Sequence, residues 1–411
     1  MTYRSAPVDP ELGSPVADTQ FDPTPDAVEA GPKQRGKKPR ASKPAKAGKA
    51  KKRGHRALWI SLTAVFLALV LATAGGYVFW WMPANEAPEP TFMETLIRPE
   101  RLPPPIPPPD PAWPLTGLPM ATEDAGDYPS LCIKIENSRS ARPQLGLDSA
   151  DIVIEEVVEG GITRFMAIFH STLPKEVEPV RSMRPMDPPL AKPFGCPLIF
   201  SGGQYAFVQD ARKSLKKVIS MDSGDKGFSR DRKRSAPHNV IGDIDTFMKT
   251  AKAAKLTSPP SPFEFPDLGH ASSVVTSGEE ASRLDLKMSN YSSVAWKWDP
   301  VKSVWLRYEG KDKAVVVSGK QIYATNVVTL TVKIAMTAKR PGANPVPETK
   351  IVGKGKGTLS AGGRNMPINW SKSKDSTHIV LTDLQGNPVT LIAGNTWIEL
   401  VPTSGSVKVS T

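Results

Sequence analysis

The stretch "ADIVIEEVVEGGITRFMAIFHS", Ala150 to Ser171, decides how the chain folds. Runs rich in β-branched residues flank Gly160-Gly161, a pattern that predicts two strands joined at a glycine turn. Neighbouring side chains on a strand point to opposite faces, so Glu155 and Glu156 diverge and at most one of them is expected to face inward. Arg164 follows Glu155, Glu156 and Glu159 directly across that turn. An inward glutamate beside Arg164 reads as a structural ion pair; the functional alternative is a general acid or base held by an arginine.

Working outward, "SLCIKIEN" and "CPLIFSGG" read as further short strands. In "QYAFVQDARKSLKKV" the residues Ala206, Val208, Ala211, Leu215 and Val218 recur near a helical period. "NVIGDIDTFMKTAKAAKL" predicts a second helix with Asp243 as its cap. Residues 115–265 are thus expected to form a mixed domain of strands and helices. "TSPPSPFEFPDLGH" reads as a connection, and the runs beyond it, such as "SSVAWKWDPVKSVWLRYEG" and "VVTLTVKIAMT", alternate between turn signals without a long helical pattern. Residues 266–411 are expected to be a mostly antiparallel β domain, which makes the fold class α+β.

Charge and hydropathy place this pair of domains. The formal charge is +12, and residues 1–56 hold 13 Lys and Arg against 6 Asp and Glu. Their Lys/Ala/Pro/Gly composition buries too little apolar area to fold, predicting a disordered basic tail. The next segment, Ala57 to Met82, carries no charged residue, is long enough for a membrane helix, and has Trp59, Tyr77, Trp80 and Trp81 near its ends. Positive charge on its amino-terminal side predicts a cytoplasmic tail and a single-pass anchor in the cell membrane, with everything later outside. A cleaved signal peptide is the rival, from "ATA" at Ala72 to Ala74. Residues 83–114 are proline-rich and read as a stalk.

An external location removes chromosomal nucleic acid from the partners and leaves anionic envelope components or envelope proteins. The sequence implies no cofactor and no metal site, since Cys/His ligand spacings are missing. Cys132 and Cys196 are either bridged or two small buried thiols.

Two arginine-rich loops stand out. "SRDRKRSAPHN" carries Arg230, Arg232, His238 and Asn239, and "EPVRSMRPMD" carries Arg181 and Arg184. Arginine suits planar contact with phosphate or carboxylate. Together with Arg142 and Arg164 these residues are the candidate anion site, and the alternative is a solvated loop with surface ion pairs. Glu155, Glu156 and His238 are the catalytic candidates, although no complete catalytic set is readable. "GKGKG", Gly353 to Gly357, lacks the spacing of a phosphate loop and reads as a strand or hairpin.

The runs "LTGLP", "IENSRSARPQLGLDSADIVIEEVVEGGITRFMAIF", "EPVRSMRP", "RDRKRSAPHN", "GKGTL" and "GNTWIELVP" together resemble the YerB-like family, an envelope-associated family of unknown function often found as lipoproteins. The resemblance covers Leu115 to Pro402. It implies a two-domain extracytoplasmic protein whose first domain carries the polar motifs, and it supplies no activity. The chain departs from the lipoprotein pattern by its anchor segment and long basic tail. The leading expectation is therefore an envelope protein binding an anionic component or protein partner through its arginines. A cell-envelope hydrolase or transferase using a glutamate with an arginine phosphate clamp, and a scaffold for envelope-synthesis proteins, are the alternatives.

Overall fold

Three strands, β1 (Leu131–Glu136), β2 (Ile152–Val157) and β3 (Thr163–Phe169), are buried along their whole length. A sheet achieves this only when both of its faces are covered. The computed structural model describes residues 111–267 and 270–411. The basic tail, the apolar segment Ala57 to Met82 and the stalk up to residue 110 lie outside the described residues. No helix among the described residues is long and apolar enough to cross a membrane.

β1 to β3 sit inside a sheet of twelve strands drawn from both sides of residue 265. Along its path it runs Val380–Thr382, Arg364–Lys372, Gly353–Ala361, Asn326–Thr337, Thr396–Pro402, β2, β3, β1, Leu198–Phe200 and Val218–Ser220. The expected hairpin is present, with β2 and β3 antiparallel and Glu156 opposite Arg164. The seam between the two sequence segments is parallel: Ile152 to Glu155 pair with Thr396 to Glu399. The later segment is mostly antiparallel, with Asn326–Thr337 parallel to Thr396–Pro402 as the exception. The "GKGKG" run lies in the Gly353–Ala361 strand.

One face of the sheet carries Cys132, Ile152, Ile154, Met166 and Ile168 and packs on the helices Asp187–Ala191 and Tyr205–Ser214. The other face, with Val153, Phe165 and Trp397, meets the helix Ile244–Ala253 and the Trp296 and Trp305 side of a second sheet. That second sheet runs Asp312–Lys313, Val304–Glu309, Ser293–Asp299, Arg283–Lys287, Ser406–Ser410. The expected connection around Phe263 is not a free linker, since Phe263 and Phe265 pack on the first core and the Leu391 amide donates to the Glu264 carbonyl (2.9 Å).

The expected helix reaching Val218 stops at Ser214. Leu215 is already extended, and Val218–Ser220 turns back as a strand parallel to Leu198–Phe200. A strand, helix and parallel strand form a crossover unit, and closing it takes Val218 out of the helix. Asp243 caps the other helix as expected, accepting from the Thr246 amide (2.8 Å). Cys132 and Cys196 form a disulfide with Cα atoms 5.8 Å apart, which decides between the two readings of the cysteines.

Candidate functional site

Glu155 and Glu156 do diverge, but both are buried, a correction to the expectation that at most one faces inward. The reason is the double coverage of the sheet: neither face of β2 is a solvent face. Neither carboxylate pairs with Arg164, whose Nη1 donates instead to the Ser182 carbonyl (2.7 Å).

On the helical face, Glu156 Oε1 is 2.5 Å from Lys134 Nζ, and Asp187 Oδ1 is 2.8 Å from the same ammonium. All three side chains are fully buried. One cation cannot fully offset two carboxylates away from water, and burial, followed by the Asp187 charge, pushes Glu156 up to about 7.

Further along this face Arg164 lies opposite Glu136 of β1 as well as Glu156. Burial, then the charges of Arg184 and Arg181, push Arg164 down to about 10. Arg164 Nε is buried without a hydrogen-bond partner among the described residues. Arg184 Nε donates to Glu159 Oε2 (2.7 Å), and Arg181 Nε is 3.5 Å from Glu136 Oε2. His238 Nδ1 lies 2.8 Å from Glu136 Oε1, which also accepts from Ser138 Oγ (2.8 Å). Three guanidiniums and a histidine therefore converge on two carboxylates.

The rest of the arginine-rich loop has another task. Asn239 is buried, and its Nδ2 donates to the carbonyls of Asp231 (3.0 Å) and Arg234 (3.1 Å), while Arg230 Nη1 donates to its Oδ1 (2.8 Å). Arg234 ties the loop to its neighbour by donating to the carbonyls of Ala141 (2.9 Å) and Pro143 (2.5 Å). Arg232 is exposed. Asp231 accepts from the Lys233 amide (2.8 Å), shaping the turn.

Arg142 belongs to a group on the opposite face that sequence reading did not find. Its Nη2 is 2.9 Å from Glu309 Oε2 and also donates to the Asn137 carbonyl (2.8 Å). Behind it, Arg307 reaches from the second sheet to Glu155 (2.6 Å), Glu309 (2.8 Å) and Glu399 (2.8 Å), and is itself fully buried. Its guanidinium lies 4.6 Å from the Trp397 ring centroid and 5.3 Å from those of Phe165 and Trp296, within cation–π range. Burial opposes the Arg307 charge, but the Glu155 and Glu309 carboxylates hold it protonated.

Glu155 and Glu399 are direct neighbours across the parallel seam. Two carboxylates in one dry site do not both ionise. Burial would raise Glu155, but Arg307 holds it below the usual carboxylate range. Burial and the Glu155 charge push Glu399 well above that range, so it keeps its proton. The Trp296 indole donates to Glu399 (2.9 Å).

In front of this group lies a hollow of about 470 Å³ whose lining includes Asn137, Ser138, Arg139, Arg142, Tyr291 and Glu309. A smaller one of about 230 Å³, lined in part by Gln144, Asp312 and Lys313, shares Asn137, Arg139, Arg142 and Glu309 with it. The loop after β1 thus faces the second sheet across a polar cleft. Among the described residues no cluster of His, Cys, Asp and Glu has metal-site geometry.

Residues 115–257 match the N-terminal domain, and residues 284–398 the C-terminal domain, of a family described as "Protein of unknown function (DUF3048)". The Bacillus subtilis (strain 168) protein named "Putative lipoprotein YerB" is 28% identical over 312 residues, which are 72% of this chain and 88% of that protein. The crystal structure of the YerB protein from Bacillus subtilis is similar with a TM-score of 0.62 at 25% identity, covering 72% of this chain and 99% of the other.

Proposed function

Since this chain belongs to the DUF3048 family, to which both of its sequence segments match, we propose that it is an extracytoplasmic envelope protein that binds an anion at Arg164, Arg181 and Arg184. Two general findings support the location. The relative named as a lipoprotein resembles it over most of both chains, and a disulfide joins Cys132 to Cys196. Disulfides persist in oxidising compartments and are rare in the cytosol. Ala57 to Met82 is the single-pass anchor in this reading.

The observation that carries the binding role is the crowding around Arg164. Its charge is disfavoured by burial and by two neighbouring guanidiniums, and its Nε has no hydrogen-bond partner among the described residues. A bound phosphate or carboxylate relieves both penalties, because charge-assisted bonds to guanidinium are among the stronger polar contacts. Arg181 and Arg184 are partly exposed and give the anion a route in.

The test is titration of the full-length protein with inorganic pyrophosphate and with vesicles containing an acidic phospholipid. Saturable binding is expected, weakened about tenfold by Arg181→Ala, the loss of one charge-assisted contact. Absence of binding to both probes would refute the anion site. Binding to vesicles alone would make a lipid headgroup the ligand.

A further inference from the structure

Beyond that site, we propose that the hollow beside Tyr291 binds a carbohydrate carrying a carboxylate. None of Arg164, Arg181 and Arg184 lines it, so this is a second site.

The turn that carries Tyr291 is tied down by Ser289. Ser289 Oγ donates to the Gly161 carbonyl (2.5 Å), and the same oxygen accepts from the amides of Tyr291 (2.9 Å) and Ser292 (3.0 Å). The backbone under Tyr291 is therefore pinned to the Gly160-Gly161 turn, yet the residue is 83% exposed. A large aromatic held on a fixed backbone with its ring left in water is a prepared contact surface. Its apolar face and polar tip match a sugar ring, which presents C–H groups on one side and hydroxyls at its edge.

The facing wall is polar and already ordered. Asn137 Oδ1 accepts from Arg142 Nε (3.0 Å) and Gln144 Nε2 (3.1 Å), and its Nδ2 donates to Thr163 (2.9 Å) and Glu309 (3.2 Å). Arg307 fixes Glu309 from behind through both Nε (3.0 Å) and Nη2 (2.8 Å). A wall held this firmly loses little freedom when a ligand arrives. The hydroxyls of Ser138, Ser292 and Ser293 complete a lining in which Ile162 is the one aliphatic hydrophobic side chain. That lining, with polar groups set among carbon surface, suits a ligand that presents both hydroxyls and C–H groups.

The carboxylate follows from charge. Glu309 is already paired to Arg142 and Arg307, whereas Arg139 is exposed and lines both hollows. Planar bidentate contact with a carboxylate is what this group does best. The smaller hollow beyond the shared Arg139, Arg142 and Glu309 continues the groove, giving room for a second sugar unit.

The experiment titrates the full-length protein with N-acetylmuramic acid and with N-acetylglucosamine, which lacks the lactyl carboxylate. N-acetylmuramic acid should saturate the site and bind about tenfold more tightly than the neutral sugar, the worth of one charge-assisted contact. Arg139→Ala should abolish that preference, and Tyr291→Ala should weaken both sugars. Both residues are exposed, so neither change threatens the fold. Arg181→Ala, which tests the anion site, should leave sugar binding unchanged. No saturation with either sugar, equal binding of the two, or binding indifferent to Arg139→Ala and Tyr291→Ala would each overturn the proposal.

Discussion

Glu155 and Glu399 sit side by side on parallel strands, and the molecule tolerates this by leaving a proton on one of them and reaching across with Arg307. The two partners should therefore respond differently to substitution. Arg307→Met strands buried carboxylates without their cation and should cost about 3–5 kcal/mol. Glu399→Gln replaces a group that is already neutral and should cost under about 1 kcal/mol, with both values read from urea unfolding. Glu156 gives the matching prediction in pH. Its folded value of about 7 lies above the ordinary 4.5, so its bound proton stabilises the fold fully below pH 4.5, and this contribution is lost as pH rises through 7. Asp151, raised by burial to about 6, acts in the same direction at slightly lower pH. The melting temperature should fall from pH 5 to pH 8, and Glu156→Gln should flatten that limb. A variant whose pH profile superimposes on the parent would place the titration elsewhere. Sequence reading found Glu155 and Glu156 but not their partners, for a local reason. In "VWLRYE" the residues Val304, Leu306 and Tyr308 look like the core phase, whereas Trp305, Arg307 and Glu309 are the ones that face the main sheet. Lys134 was hidden likewise, by Ile133 and Ile135 beside it in a strand covered on both faces.

At the level of single elements, local chemistry was legible where it was self-contained. The two strands about Gly160-Gly161 and the cap at Asp243 are where the sequence placed them, because alternation, a glycine turn and a capping side chain each act over a few residues. The turn can be graded by substitution. Gly160 and Gly161 both have left-handed backbones (φ 68° and 69°). A Cβ at Gly160 would meet nothing within 4 Å, whereas one at Gly161 would lie 3.0 Å from Ser289 Oγ and from Tyr291. Gly160→Ala should cost about 1–2 kcal/mol from conformation alone, and Gly161→Ala more, with a shift in Tyr291 fluorescence. Equal costs would mean that the Ser289 turn yields freely. The helix predicted to reach Val218 failed because its end is set by a neighbour distant in sequence, Leu198–Phe200, with which Val218 must pair.

For the whole molecule, the sequence showed the change of texture near residue 265 but not how the two segments join. Nothing local in "DIVIEE" or "NTWIELVP" records that these strands lie side by side; both read as apolar runs, and their register exists only in three dimensions. This matters for dissection. A fragment of residues 115–265 would lose the neighbour of β2 along with Arg307, leaving an open edge beside an unpaired buried Glu155. It should fail to give a cooperative unfolding transition, while the described residues from 111 onward belong to one compact unit. A cooperatively folding fragment would show that the seam is dispensable. The disulfide works at the same scale, closing a 64-residue separation between β1 and the start of the neighbouring strand. Its reduction should cost about 2–5 kcal/mol and lower the denaturant midpoint accordingly.

The parallel seam also sets a timetable. A chain is made from its amino terminus, and its early segments generally fold first. Here β2 emerges early but gains its second neighbour only when Thr396–Pro402 appears, after every other strand of their sheet. Through most of that interval the hairpin with β3 has one unpaired edge, and Glu155 has no arginine. A ribosome stalled before residue 396 would hold a chain with much of its secondary structure but an unclosed centre, so the last strand of this sheet to be made completes one of its earliest.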